Sequence, residues 1–314
     1  MSTPLWPGVI SPRSGAGMGA EGICRRALCL LVSLCLILGA AWPTEAARAK
    51  AVSKKAKKAA KKREVPGPVI KSAVVTDMAS GRVLYALEPD LAIPPASVAK
   101  IMTLYLVYEA VELGKARWSD PVPVSVKAWR TGGTKMFLDP HTTVPLGELV
   151  MGIAVVSAND AAVAVAEYLG GSVENFVLRM NEKARQLGMT HTVFKNPHGL
   201  PAKGQITTAR DMATLSRAYL DRFPESLRVH SQRYYTYHNI RQRNRNRLLG
   251  TYPGADGIKT GFVCKAGYNI AATARRGDTR LLAVVMGARN PVVRAKETAR
   301  LLDEGFRMMG ARGG

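Results

Sequence analysis

One decapeptide constrains this chain more than any other: Pro94-Pro95-Ala96-Ser97-Val98-Ala99-Lys100-Ile101-Met102-Thr103. The proline pair stops any preceding element and sets an extended entry. Ser97 then stands where a helix cap or first-turn residue stands, and the run from Val98 to Glu112 is apolar and helix-compatible. Lys100 follows one turn later on the same face, so its amine can reach the Ser97 hydroxyl. A serine needs a neighbouring base to become a nucleophile, and a lysine kept neutral by burial or by nearby positive charge can be that base. N–H groups at a helix start can also face an oxyanion. On its own, Ser-x-x-Lys is equally an ordinary helix start.

The N-terminus speaks to compartment. Arg25-Arg26 precede an apolar run from Ala27 to Ala41, followed by the small-residue sites Thr44-Glu45-Ala46 and Glu45-Ala46-Ala47. This is the pattern of a secretory signal peptide behind an extended leader, spanning residues 1–47. The run is short for a span of ~20 residues; an uncleaved signal anchor is the alternative, and Met18 is an alternative start. Cys24, Cys29 and Cys35 would leave with this segment, so the mature chain would keep only Cys264 and no internal disulfide. Residues 48–68 read as a disordered basic linker, with nine Lys or Arg and no acid between Arg48 and Arg63. Electrostatic contact with membrane or wall polymers is the functional reading of that linker.

The formal charge of +22 is partly local: the first 64 residues hold twelve basic and three acidic side chains, leaving a net +13 on residues 65–314. Anionic envelope polymers would attract such a body as well as nucleic acid would. The one cluster suggesting nucleic acid, Arg241 and Arg243 with nearby tyrosines, is short, and the export signal argues against that partner.

A folded domain is expected over 69–310, with a four-residue tail. Ile70–Thr76 and Val83–Tyr85 read as a strand pair across a turn at Asp77–Arg82. Trp118–Val126 reads as extended, and Leu146–Val156, Val173–Leu187, Thr208–Arg222 and Pro291–Met309 as helices. Tyr234–His238 is strand-like; Tyr268–Arg276 and Thr279–Gly287 form a hairpin through Gly277-Asp278. Ser157 and Asn159 fall in a polar break between helical runs, where both can face one cleft; the plain alternative is a helix cap. Asp256-Gly257-Ile258-Lys259-Thr260-Gly261-Phe262 reads as a strand entered from a turn. There a lysine and a threonine hydroxyl suit a carboxylate, and Gly261 lets a ligand lie close to the backbone.

Ser97-x-x-Lys100, Ser157-x-Asn159 and Lys259-Thr260-Gly261 occur in that order. With Asp77-x-x-Ser80-Gly81, Asn196-Pro197-x-Gly199-Leu200 and Asp256-Gly257-Ile258, the chain from Val69 to Met309 resembles the D-alanyl-D-alanine carboxypeptidases of peptidase family S11, the low-molecular-weight penicillin-binding proteins. The resemblance implies an α/β fold of the α+β type: a central antiparallel sheet packed by helices, with a helical subdomain and the active site between them. It implies that Ser97 forms an acyl-enzyme, Lys100 takes its proton, Ser157 passes a proton to the leaving D-alanine, and Asn159 positions Lys100 and substrate. Lys259 and Thr260 in the Lys-Thr-Gly strand would hold the terminal carboxylate, beside Gly261. The Ser97 and Phe262 N–H groups would form the oxyanion hole, and Arg245 and Arg294 would lie near the cleft. Peptidoglycan stem peptides are the implied substrate, β-lactams the implied covalent inhibitors, and no metal or other cofactor is implied. The chain stops after the closing helix, so the β-rich domain and C-terminal amphipathic anchor of many members are expected to be absent. Cys264 is expected to be a small packed residue near the cleft, with a modifiable thiol as the alternative.

Three rivals remain at this stage. A class A β-lactamase would need a glutamate in a loop of the form Glu-x-x-Leu-Asn; Glu167, Glu174 and Glu182 lie on expected helices instead. Penicillin is therefore expected to acylate Ser97 and leave slowly. A DD-endopeptidase cutting cross-links shares the same residues, and a non-catalytic wall-binding module would need fewer of them.

Overall fold

The computed structural model describes residues 69–310. The leader and signal peptide (1–47), the basic linker (48–68) and the tail (311–314) lie outside the described residues.

The β-branched run near the start of the domain forms β1 (Ser72–Asp77), which pairs antiparallel with β2 (Val83–Leu87). Three long strands near the end, β7 (Ala255–Val263), β8 (Gly267–Arg276) and β9 (Thr279–Ala288), complete an antiparallel sheet in the order β2-β1-β9-β8-β7. The chain therefore inserts all its described helices but the last between β2 and β7, and β7 is left as an edge. Both sheet faces are covered, so the strands read as continuous apolar runs. Val74, Leu282, Val284 and Met286 point into one core; Val75, Ala283 and Val285 point into the other, against Leu301, Leu302 and Phe306 of the closing helix (Pro291–Met308). Asn290 caps that helix, its Oδ1 accepting from the Val292 and Val293 N–H groups at 3.0 and 2.8 Å.

The inserted helices build the second half of the domain. A helix from Lys100 to Glu112 is buried from Lys100 through Tyr108, which explains why its sequence shows no polar face. Beside it runs Asn159–Gly170, buried from Asn159 to Ala166. Val173–Gln186 and Ala209–Arg222 are amphipathic helices, capped by the side chains of Ser172 and Thr208. The expected helix over Leu146–Val156 divides into an α-helix (Leu146–Met151) and a π-turn (Gly152–Val156). Several short elements were not anticipated: the helices Val126–Arg130 and Leu227–His230, the strand β4 (Thr143–Pro145), which pairs with β3 (Pro121–Pro123), and the strand β6 (Ile240–Arg243), which pairs with β5 (Tyr234–Tyr237). No helix among the described residues is long and apolar enough to cross a membrane.

Candidate active site

The proline pair leads into a 3-10 turn, Ala96–Ala99, and the α-helix begins only at Lys100. Ser97 is thus a first-turn residue whose side chain makes no capping bond. Its hydroxyl is left free for a neighbour. The turn is tied to the sheet by Asn269 of β8, fully buried, whose Nδ2 donates to the carbonyls of Pro94 and Pro95, each at 3.2 Å. Edge strand β7 presses on the same turn: a Cβ on Gly261 would stand 2.8 Å from Ser97 N and 3.1 Å from Val98 N. Only glycine permits that approach.

Lys100 is fully buried, and its Nζ has three partners: Asn159 Oδ1 at 2.6 Å, the His198 carbonyl at 2.8 Å and Ser97 Oγ at 3.1 Å. The first two can only accept. Asn159 is oriented by its other end, where Nδ2 donates to the Gly132 carbonyl at 2.7 Å. A neutral amine has two N–H bonds and one lone pair. With both hydrogens committed to Asn159 and His198, the lone pair faces Ser97 Oγ. Burial pushes the Lys100 ammonium well below its ordinary value, and the charges of Lys259 and Arg245 push the same way against an opposing pull from Asp160. Geometry and electrostatics therefore agree on a base aimed at a hydroxyl.

The polar break carries more structure than a cap. Ser157 adopts the left-handed conformation (φ 69°, ψ 32°), unusual for a residue with a Cβ, and lines the cleft. Asn159 N–H donates to the Thr134 carbonyl at 2.7 Å. Asp160, also fully buried, accepts from the N–H groups of Met136, Phe137 and Leu138 at 3.0 to 3.2 Å. This carboxylate fixes the loop that supplies the Gly132 and Thr134 carbonyls. Across the site, Thr103 Oγ1 donates to the Pro197 carbonyl at 2.6 Å, which holds the loop carrying the His198 carbonyl. The His198 ring is kept neutral chiefly by burial, which pushes it down to about 3. Sequence reasoning missed Asp160, Thr103, His198 and Asn269. All four act on or through main-chain groups, which leave no mark in residue type.

The cleft has a volume of about 740 Å³ and brings together Ser97, Ser157, Asn159, Thr260, Gly261 and Phe262. Lys259 is 3% exposed and is not a lining group; its Nζ donates to the Thr260 carbonyl at 3.2 Å. Burial, Arg245 and Arg294 lower it to about 7. Phe262 is exposed, its ring stacked on Tyr268 with centroids 4.3 Å apart. Arg245 and Arg294 both line the cleft. Arg294 is 4% exposed, donates to the Arg245 carbonyl at 3.1 Å, and is lowered to about 10 by burial and by the nearby Arg247 and Arg245. Cys264 is a free, exposed thiol outside the cleft lining, so the expectation of a packed residue is corrected: it follows the end of the edge strand, where nothing covers it. No group of His, Cys, Asp or Glu among the described residues could hold a metal ion.

The sequence pattern of the D-alanyl-D-alanine carboxypeptidases, peptidase family S11, matches residues 58–290. The chain belongs to this family. It is 42% identical over 251 residues to the D-alanyl-D-alanine carboxypeptidase DacC of Escherichia coli, covering 78% of this chain and 63% of DacC. It spans a little under two thirds of the length of the curated relatives it matches first. The fold is similar to penicillin-binding protein 5 of Haemophilus influenzae, with a TM-score of 0.74, 40% identity, and coverage of 77% of this chain and 72% of that one. It is also similar to penicillin-binding protein D2 of Listeria monocytogenes in its ampicillin-bound form, with a TM-score of 0.66, 32% identity, and coverage of 76% and 97%. The expected α+β architecture of the family is the one observed, with the cleft between sheet edge and helices.

Proposed function

We propose that this chain is a serine-type D-alanyl-D-alanine carboxypeptidase that removes the terminal D-alanine from peptidoglycan pentapeptide stems. The observation that carries the reading is the buried Lys100 amine, committed to two acceptors and 3.1 Å from Ser97 Oγ. In this mechanism Lys100 takes the Ser97 proton as Oγ attacks the penultimate D-alanine carbonyl. The carbonyl's charge develops toward the Ser97 and Phe262 N–H groups. Ser157 relays a proton to the departing D-alanine nitrogen, while Asn159 holds Lys100 and the substrate backbone. Water then hydrolyses the Ser97 ester. Thr260, Arg245 and Arg294 receive the terminal carboxylate, with the enclosed Lys259 behind Thr260, and the stem lies along the edge of β7, where no further strand pairs among the described residues.

β-Lactams, whose carboxylate and carbonyl imitate those of the dipeptide, acylate Ser97. The ampicillin-bound relative supports this reading. Among the described residues no glutamate lines the cleft to serve deacylation, and Glu167 lies on the helix Asn159–Gly170, accepting from Ser125 Oγ at 2.7 Å. The acyl-enzyme with penicillin is therefore long-lived. The enzyme works in the cell envelope, with the exported leader and basic linker serving delivery and electrostatic attachment to membrane or wall polymers.

The test is product analysis. Purified protein incubated with a stem pentapeptide releases free D-alanine, and Ser97→Ala abolishes both this release and labelling by fluorescent penicillin. Cleavage of cross-linked dimers without release from pentapeptide would replace the carboxypeptidase reading by an endopeptidase one.

A further inference from the structure

The cleft carries more positive charge than one carboxylate needs. Arg243, Arg245, Arg247 and Arg294 line it, and no acidic side chain does. None of the four forms an ion pair among the described residues. Such a concentration of like charge is unfavourable unless a ligand neutralises it.

The placement is built rather than incidental. Arg243, Arg245 and Arg247 alternate with Asn244 and Asn246, which are 8% and 3% exposed. Asn244 Nδ2 donates to the Gln232 carbonyl at 3.0 Å, and Asn246 Nδ2 donates to the Gly257 carbonyl at 3.1 Å. Their Oδ1 atoms accept from the N–H two residues on, Asn246 at 2.9 Å and Leu248 at 3.1 Å. Two consecutive side-chain-closed turns thus repeat every two residues, and the buried asparagines turn the three arginines outward together. Arg245 stands near enough to Lys259 and Lys100 to lower both, and it belongs with the terminal carboxylate. Arg243 and Arg247 flank it, each at most ~7 Å away along the chain.

On the carboxypeptidase reading, we propose that Arg243 and Arg247 form a second anion subsite, which selects stem peptides whose third residue carries a side-chain carboxylate. The register supports this occupant. The third residue stands two positions before the terminal D-alanine, which is again ~7 Å in an extended peptide. A phosphate at the far end of the stem lies beyond all five residues, up to ~17 Å away in an extended peptide, outside the reach of these side chains. A dicarboxylic diamino acid at position three meets guanidinium; its amidated form loses the charge; a lysine brings an ammonium against the arginines.

Three pentapeptides that differ only at position three decide the matter: dicarboxylic, amidated and lysine-bearing. The kcat/KM for D-alanine release is expected to be three- to tenfold higher for the dicarboxylic peptide than for the amide, and lower again for lysine, as a partly exposed charge-assisted pair gives. The preference shrinks with added salt and falls to about one in the double variant Arg243→Gln/Arg247→Gln. Fluorescent penicillin acylation of the variant reports whether its cleft kept its shape. Equal kcat/KM for all three peptides on the unmodified protein overturns the subsite. No release from any of them overturns the carboxypeptidase reading instead, and equilibrium binding of the same peptides to Ser97→Ala then decides the subsite separately: tighter binding of the dicarboxylic peptide supports it, equal binding overturns it.

Discussion

Gly199 offers a sharp test of how tightly the Ser97 turn is held. It follows His198, whose carbonyl accepts from Lys100, and its φ is +84°. A Cβ added there would fall 1.8 Å from the Ala96 carbonyl oxygen and 2.3 Å from its carbon. Close carbon–oxygen contacts stop near ~3.3 Å, so Gly199→Ala forces the loop and the turn apart by about 1.5 Å. A displacement of ~1 Å in a reacting group lowers rates by roughly a hundredfold. The left-handed backbone adds about 1–2 kcal/mol of destabilisation, or about 2–8 °C in Tm for a domain of this size. Gly188 separates the two effects: its φ is +78° and a Cβ there meets nothing within 4 Å. Gly188→Ala should lose about the same stability from its backbone and keep its acylation rate. The assay is the second-order rate constant for fluorescent-penicillin acylation, with Tm measured on the same samples. Gly199→Ala is expected to acylate at least about a hundredfold more slowly. Acylation by Gly199→Ala within threefold of the parent (roughly the scatter such placement arguments allow), or an equal loss in Gly188→Ala, would refute the reasoning.

Two further outcomes concern protons. Protonated Lys100 cannot accept from Ser97, so acylation should fall about tenfold per pH unit on the acid side of the Lys100 pKa. Asn159→Asp sets a carboxylate where an amide oxygen now lies 2.6 Å from Nζ, favours the ammonium, and should move that acid limb to higher pH by about 1–3 units; a pH–rate profile that moves the other way contradicts the assignment. His198 and His230 are both pushed down to about 3, chiefly by burial, while the unfolded chain titrates near 6.5. Between those values the unfolded state binds more protons, so stability is complete above ~6.5 and is lost as pH falls toward ~3. Urea unfolding should show about 2–3 kcal/mol less stability at pH ~5.5 than at pH ~7.5 from these two rings, and a flat profile would show that they are not held neutral.

Much of the site was legible because its chemistry sits in side chains at fixed spacing. Ser97 and Lys100 share a face across one turn, and β1 reads as a strand from its continuous β-branched run, with Val74 and Val75 serving the cores on opposite faces. The local cap reading of Ser157 and Asn159 failed for a tertiary reason: Asn159 points at Lys100 and Gly132, 59 and 27 residues away in sequence. The strand reading of Lys259-Thr260-Gly261 does not by itself describe the cleft, because Thr260 and Gly261 line it while Lys259 is enclosed. What sequence could not supply was the set of partners to backbone groups. Asp160 resembles a helix-start acid and instead gathers three N–H groups from a distant loop. The carbonyl of His198 matters more to Lys100 than its imidazole does, and a carbonyl is common to every residue.

The central claim is that Lys100 is a neutral amine in the resting protein. Its most direct test is a pH titration of the Lys100 side chain by NMR in lysine-labelled protein, with the resonance assigned by its absence from Lys100→Arg. Full burial beside Lys259 and Arg245 predicts a midpoint well below the ordinary lysine value of 10.5. A midpoint at or above 10.5 would show an ammonium donating to Ser97, and would contradict Lys100 as the acceptor of its proton.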